Sequence, residues 1–88
     1  MINKIEISGI VKDIEIKPNY VTFILERKDC NLYCIVRDLK DIFLKYVKMW
    51  DEIIVDGEFN IFKSVKDEIL PTIVIKDFYF SSFNKGIV

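Results

Sequence analysis

The sequence predicts an all-β domain in which five strands and one short helix close into a small barrel. Three observations carry this. Apolar and polar residues alternate along most of the chain, the mark of half-buried strands. Only one stretch, Leu39 to Val47, changes to helical spacing. The alternation also changes parity inside two of the strands, as it must where a strand turns a corner. Eighty-eight residues make one domain, taken as residues 1–80, with 81–88 a short patternless tail.

The first strand runs from Asn3 to Lys17. Ile5 and Ile7 point one way and Lys4, Glu6 and Ser8 the other; beyond Gly9 the apolar positions become Ile14 and Ile16. A repeat of two cannot flip without an inserted residue, so a bulge or sharp bend is expected between Gly9 and Ile14. Pro18-Asn19 marks a turn. Val21, Phe23 and Leu25 alternate through a second strand, and Arg27-Lys28-Asp29 form a charged hairpin loop. Leu32 to Arg37 is a third strand, rich in β-branched and aromatic residues. It is apolar on both faces, which suggests that a partner covers one of them.

A helix of about ten residues follows, too short to stand alone and therefore docked on the barrel. Asp38 is the expected N-cap and Asp41 suits the first turn. Leu39, Ile42, Phe43, Tyr46 and Val47 form its apolar stripe, and Lys45 and Lys48 favour its C-terminal end. The fourth strand, Glu52 to Phe62, places Ile53, Val55, Phe59 and Ile61 on one face with Gly57, where a missing side chain allows tight coiling or close backbone approach. Ile54 and Phe62 face the other way. Lys63 to Glu68 is a charged loop. The fifth strand, Leu70 to Phe80, carries Ile73 and Ile75 and then Phe78 and Phe80, with its parity flip near Asp77. Strand, strand, strand, helix, strand, strand is the order of the OB barrel, a five-stranded Greek key.

Composition excludes several classes. At 51% hydrophobic the chain cannot be disordered, and it is more apolar than a lone small domain requires, so some of the excess is assigned to a subunit interface. With no histidine and two cysteines, a four-ligand zinc site cannot be built. Cys30 and Cys34 read as two buried structural thiols rather than a disulfide. No signal peptide and no spanning segment is evident, so the expected location is cytoplasmic. There is no nucleophile beside a base and no Gly-rich phosphate loop. The chain is therefore read as a non-enzyme without metal or cofactor. Net charge is −1, which counts against nucleic-acid binding by bulk charge but leaves open a local basic groove with stacking aromatics.

The opening Asn3-Lys4-Ile5-Glu6-Ile7-Ser8-Gly9-Ile10-Val11-Lys12-Asp13 resembles the start of bacterial single-stranded DNA-binding proteins. Val21-Thr22-Phe23-Ile24-Leu25 is similar to their second strand, and Leu39 through Asp56-Gly57 to their helix, turn and fourth strand. The likeness covers roughly residues 3 to 80. It departs where the family's tryptophan near the start of the third strand gives way to Cys30–Leu32, where Val36 stands for a phenylalanine, where the family's aromatic in the 4–5 loop falls near Ser64 with Phe62 two residues away, and where Trp50 replaces a glycine. The sequence as given has no acidic tip, a trait it shares with the primosomal branch. The resemblance implies an OB barrel, single-stranded DNA as ligand and a homodimer or homotetramer, with the first strand pairing across a two-fold edge.

An OB barrel meets its ligand on strands two and three, between the 1–2 and 4–5 loops. Those elements hold Lys12, Lys17 and Tyr20 at one rim, Arg27 and Lys28 in the 2–3 hairpin, Arg37 after the third strand, and Phe62, Lys63 and Lys66 in or beside the 4–5 loop. Cations neutralise phosphates and rings stack on bases. Tyr33 belongs with Tyr20 and Phe62 as a stacking candidate, although the resemblance turns it inward as a core residue. Glu26, Asp29, Asp67 and Glu68 blunt the field. Trp50 reads as a flap over the core, with an anchor for a partner protein as the alternative. The expected function is single-stranded DNA binding in replication, recombination or mobile-element maintenance, with RNA as the alternative ligand and a replication protein as a further partner. The competing reading is a protein–protein adaptor that kept the barrel and lost the nucleic acid.

Overall fold

The computed structural model describes residues 4–63 and 69–80; at 62, 63, 69 and 70 the description is of backbone alone. Five strands, β1 (Lys4–Ile16), β2 (Val21–Glu26), β3 (Asn31–Val36), β4 (Glu52–Lys63) and β5 (Ile69–Phe80), surround one helix, α1 (Lys40–Tyr46). The strands close in the order β1-β2-β3-β5-β4. β3 and β5 run parallel, from Tyr33–Thr72 to Ile35–Val74, and every other pairing is antiparallel. This is the OB barrel the residue pattern predicts.

Closure depends on β1 serving two neighbours. Lys4 to Ile10 pair with β4 and Ile10 to Ile16 with β2, and the register slips between Lys12 and Glu15. Asp13 supplies the bend with φ 52°, a left-handed conformation that aspartate tolerates better than most residues. The second expected flip is also a bulge: Asp77 pairs with Asp56 and Ile75 with Gly57, which leaves Lys76 as the extra residue. Gly57 is buried at this bulge, and a Cβ there would run into the Val74 carbonyl. Close backbone approach is thus the reason for glycine.

Inside the barrel, Val11, Phe23, Leu25, Val36, Ile53, Val55 and Ile73 are fully buried. The helix plugs this core. Phe43 stacks on Phe23 with ring centroids 4.9 Å apart and meets Phe78 edge-on at 5.3 Å.

Several expectations change. The helix has seven residues, not about ten, and its N-cap position is Leu39, with no side-chain cap; Asp38 does not cap it. The chain enters instead through a turn in which the Lys40 N–H donates to the Arg37 carbonyl. So short a helix buries one narrow stripe, Phe43 and Val47 flanked by Leu39 and Leu44, and leaves Ile42 and Tyr46 exposed. Phe59 and Ile61 share the parity of Ile53 and Val55 yet are exposed. Their part of β4 has run past Glu58, the last residue paired to β1 among the described residues. Both cysteines are free thiols, but only Cys34 is buried; Cys30 lies in the exposed 2–3 hairpin, outside the ladder.

Candidate functional site

The outer surface of β1, β2 and β3 is organised by its rungs. Lys12 pairs with Ile24, and Ile24 with Tyr33, so three outward side chains stand in a row; one rung further, Glu15 pairs with Thr22 and Thr22 with Ile35. Neighbouring strands are about 4.8 Å apart, which puts the backbones of Lys12 and Tyr33 roughly 10 Å from each other. Tyr33 faces outward and is exposed, not turned into the core as the family resemblance implied. Its inward neighbours Cys34 and Leu32 take the core positions opposite Phe23 and Leu25.

Lys12 does not project as a free cation. Its Nζ donates to Glu26 Oε2 at 2.6 Å and lies 4.6 Å from the centre of the Trp50 ring. Trp50 is not a flap over the core: it is 65% exposed, the most open of the large apolar side chains among the described residues. Its backbone sits at φ 78°, where a bulky residue is strained. Two bonds to Val11 hold it there, since the Trp50 N–H donates to the Val11 carbonyl at 2.7 Å and the Val11 N–H to the Asp51 carbonyl at 2.9 Å. The family the chain resembles has glycine at this position, a signal for the backbone conformation but not for the exposed ring.

The remaining candidates divide between the two ends of the β2–β3 ladder. Lys17 and Tyr20 flank the loop before β2, and Arg37 follows β3 at that same end. Lys17 Nζ is 3.6 Å from Glu15 Oε2, and Tyr20 is half-buried. Lys40 fastens this loop to the helix by donating to the carbonyls of Lys17 and Pro18. Arg27 and Lys28 are exposed in the 2–3 hairpin at the opposite end. Phe62 and Lys63 end β4, with backbones opposite Leu70 and Ile69, and their side chains lie outside the description; Lys66 lies outside the described residues. Tyr33 stands midway between the two ends.

Between the rungs is a hollow of about 500 Å³, lined by Asp13, Ile14, Glu15, Thr22, Ile24, Tyr33 and Met49. Thr22, Asp13, Glu15 and Met49 were not among the sequence candidates. Their place on one surface follows from the Asp13 bulge and the turn before β4, neither of which a strand pattern locates to the residue. The opposite wall is anionic: Glu6, Asp56 and Asp77 stand side by side across β1, β4 and β5. The Tyr79 phenol beside them is pushed above its ordinary range, by lost hydration and then by Asp77, Asp56 and Glu6.

No family model and no curated protein matches this sequence. Among solved structures, the mitochondrial single-stranded DNA binding protein of S. cerevisiae superposes with TM-scores of 0.74 and 0.70 in two determinations. The first is 16% identical and spans 92% of this chain and 96% of that one; the second is 15% identical and spans 92% and 95%. At such identity the likeness defines the class of fold: an OB barrel over nearly its whole length.

Proposed function

We propose that this protein binds single-stranded DNA on the outer face of β1, β2 and β3. The observation that carries the reading is the pair of exposed rings, Tyr33 and Trp50, set around Lys12 on the face where an OB barrel takes its ligand. Trp50 keeps its ring in solvent despite a strained backbone. Strain held at an exposed aromatic is a reason to look for a ligand there. Stacking is indifferent to sequence and does not need a basic chain, which suits a net charge of −1. Arg27, Lys28, Lys17 and Arg37 extend the path of the strand at either end of the ladder.

Assembly as a homodimer or homotetramer belongs to the same proposal. The Lys4–Gly9 segment of β1 pairs with β4 on one side, while β2 joins β1 only from Ile10 onward, so this segment keeps an open edge among the described residues.

Trp50 is the single tryptophan, so its emission reports directly on the face. Titration with a labelled oligonucleotide at low salt is expected to quench it. Trp50→Ala and Tyr33→Ala should each weaken binding by about 1–3 kcal/mol. No binding at tens of micromolar protein would end this reading. The adaptor reading draws on the Lys12–Glu26 pair and on exposed Ile42 and Tyr46. It gains if charge reversal at Lys17, Arg27, Lys28 and Arg37 leaves nucleic-acid retention unchanged.

A further inference from the structure

The hollow beside Tyr33 has a chemistry that stacking alone does not use. Apolar Ile24 and Met49 line it together with the acidic residues Asp13 and Glu15, and Thr22 lines it while only 3% exposed. Among the described residues the Thr22 hydroxyl has no hydrogen-bond partner. A buried polar group without a partner is rare and costly, so one that lines a hollow points to a ligand atom that completes it. Two carboxylates repel phosphate, which keeps a nucleic-acid backbone out. What they accept is N–H.

We propose, on the footing of the single-strand reading above, that this hollow receives one unstacked base by its amino-bearing edge and that the protein therefore favours cytosine, adenine and guanine over thymine. The volume of about 500 Å³ lies in the ordinary range for a small-ligand site. Cytosine N4, adenine N6 and the guanine N1–N2 edge present donors to Asp13 and Glu15, as carboxylates accept from cytosine N4 in direct readout. Thymine offers a single N–H between two carbonyl oxygens, and both oxygens face the carboxylates unfavourably. The Thr22 hydroxyl donates to a ring nitrogen or carbonyl of the base, while Tyr33 and Ile24 cover its faces. Glu15 is steadied by Lys17 at 3.6 Å, and Asp13 is held at the bulge by its left-handed backbone.

The test compares oligo-dC with oligo-dT of equal length, at one salt concentration and at mildly alkaline pH, where cytosine tracts stay single-stranded. Oligo-dC is expected to bind about tenfold tighter. A strand of N4,N4-dimethylcytosine, which keeps the ring and has no amino N–H, should fall back to the level of oligo-dT. The double variant Asp13→Gly, Glu15→Ala, which removes both acceptors, should abolish the preference while still binding oligo-dT; glycine is tolerated at a left-handed position, so the bulge survives. Thr22→Val should leave the melting temperature unchanged or higher, because it removes an unsatisfied hydroxyl, and yet loosen oligo-dC. Equal or tighter binding of oligo-dT overturns the base pocket and leaves the single-strand reading standing. A preference that survives the double variant overturns the role given to the carboxylates. Failure to bind either strand overturns both readings.

Discussion

Lys12 is the side chain on which the binding face turns, because Glu26 and Trp50 both claim its ammonium. The ion pair is partly exposed, at 27% and 36% for the two side chains, so it adds no more than about 1 kcal/mol to stability. Its effect on binding is larger, since a cation already paired releases few counterions from DNA. Glu26→Gln should therefore tighten single-strand binding and steepen the slope of log K against log salt by about 0.7, the share of one phosphate. An unchanged slope would mean that Lys12 touches no phosphate. At Cys34, burial pushes the thiol up to about 12 from an ordinary 9.0. The unfolded chain therefore loses this proton first, and stability present below about pH 9 falls as pH rises toward 12. Cys34→Ala should flatten that alkaline limb in urea melts at several pH values. In the native protein a thiol reagent should label one cysteine, the exposed Cys30, and two only after denaturation.

At the level of elements, the helix is the part least able to exist by itself. Seven residues make two turns, well below the length at which a helix holds in water. What keeps it is Phe43, stacked on Phe23 and met edge-on by Phe78. Phe43→Ala should cost about 3–5 kcal/mol in denaturant unfolding and remove most helical signal from the circular dichroism spectrum. A loss below about 1 kcal/mol would show that the barrel does not depend on its plug. The strands were legible because most of them alternate and because both parity flips, near Asp13 and near Lys76, leave a trace in the spacing itself. The helix was legible in position and not in detail. Ile42 and Tyr46 satisfy a helical repeat as well as Phe43 and Val47 do, and only the docking of the helix on the barrel buries one pair and not the other. Trp50 and the hollow were hidden for a related reason: they are assembled by a bulge and a turn from three separate strands and the link before β4.

Across the whole molecule charge is distributed unevenly, and the net value of −1 conceals this. Glu6, Asp56 and Asp77 lie directly abreast on β1, β4 and β5, where like charges oppose folding. Asp56→Asn should raise stability by about 0.2–1 kcal/mol, with most of the gain erased by salt, as thermal melts at two ionic strengths would show. This wall lies away from the Tyr33 face proposed to hold DNA, so the same substitution should leave single-strand binding nearly unaltered. A last consequence lies in the bend at Asp13. Lys12 pairs with Ile24 and Glu15 with Thr22, so two residues of β1 stand where the partner strand has only Phe23. A chain lacking Asp13 would keep Val11 and Ile14 facing hydrocarbon and Lys12 and Glu15 facing water, as in a straight ribbon. It would lose only the corner. The two-residue rhythm that builds the interior and the kink that rolls the sheet shut are thus separate instructions, written in different residues of one strand.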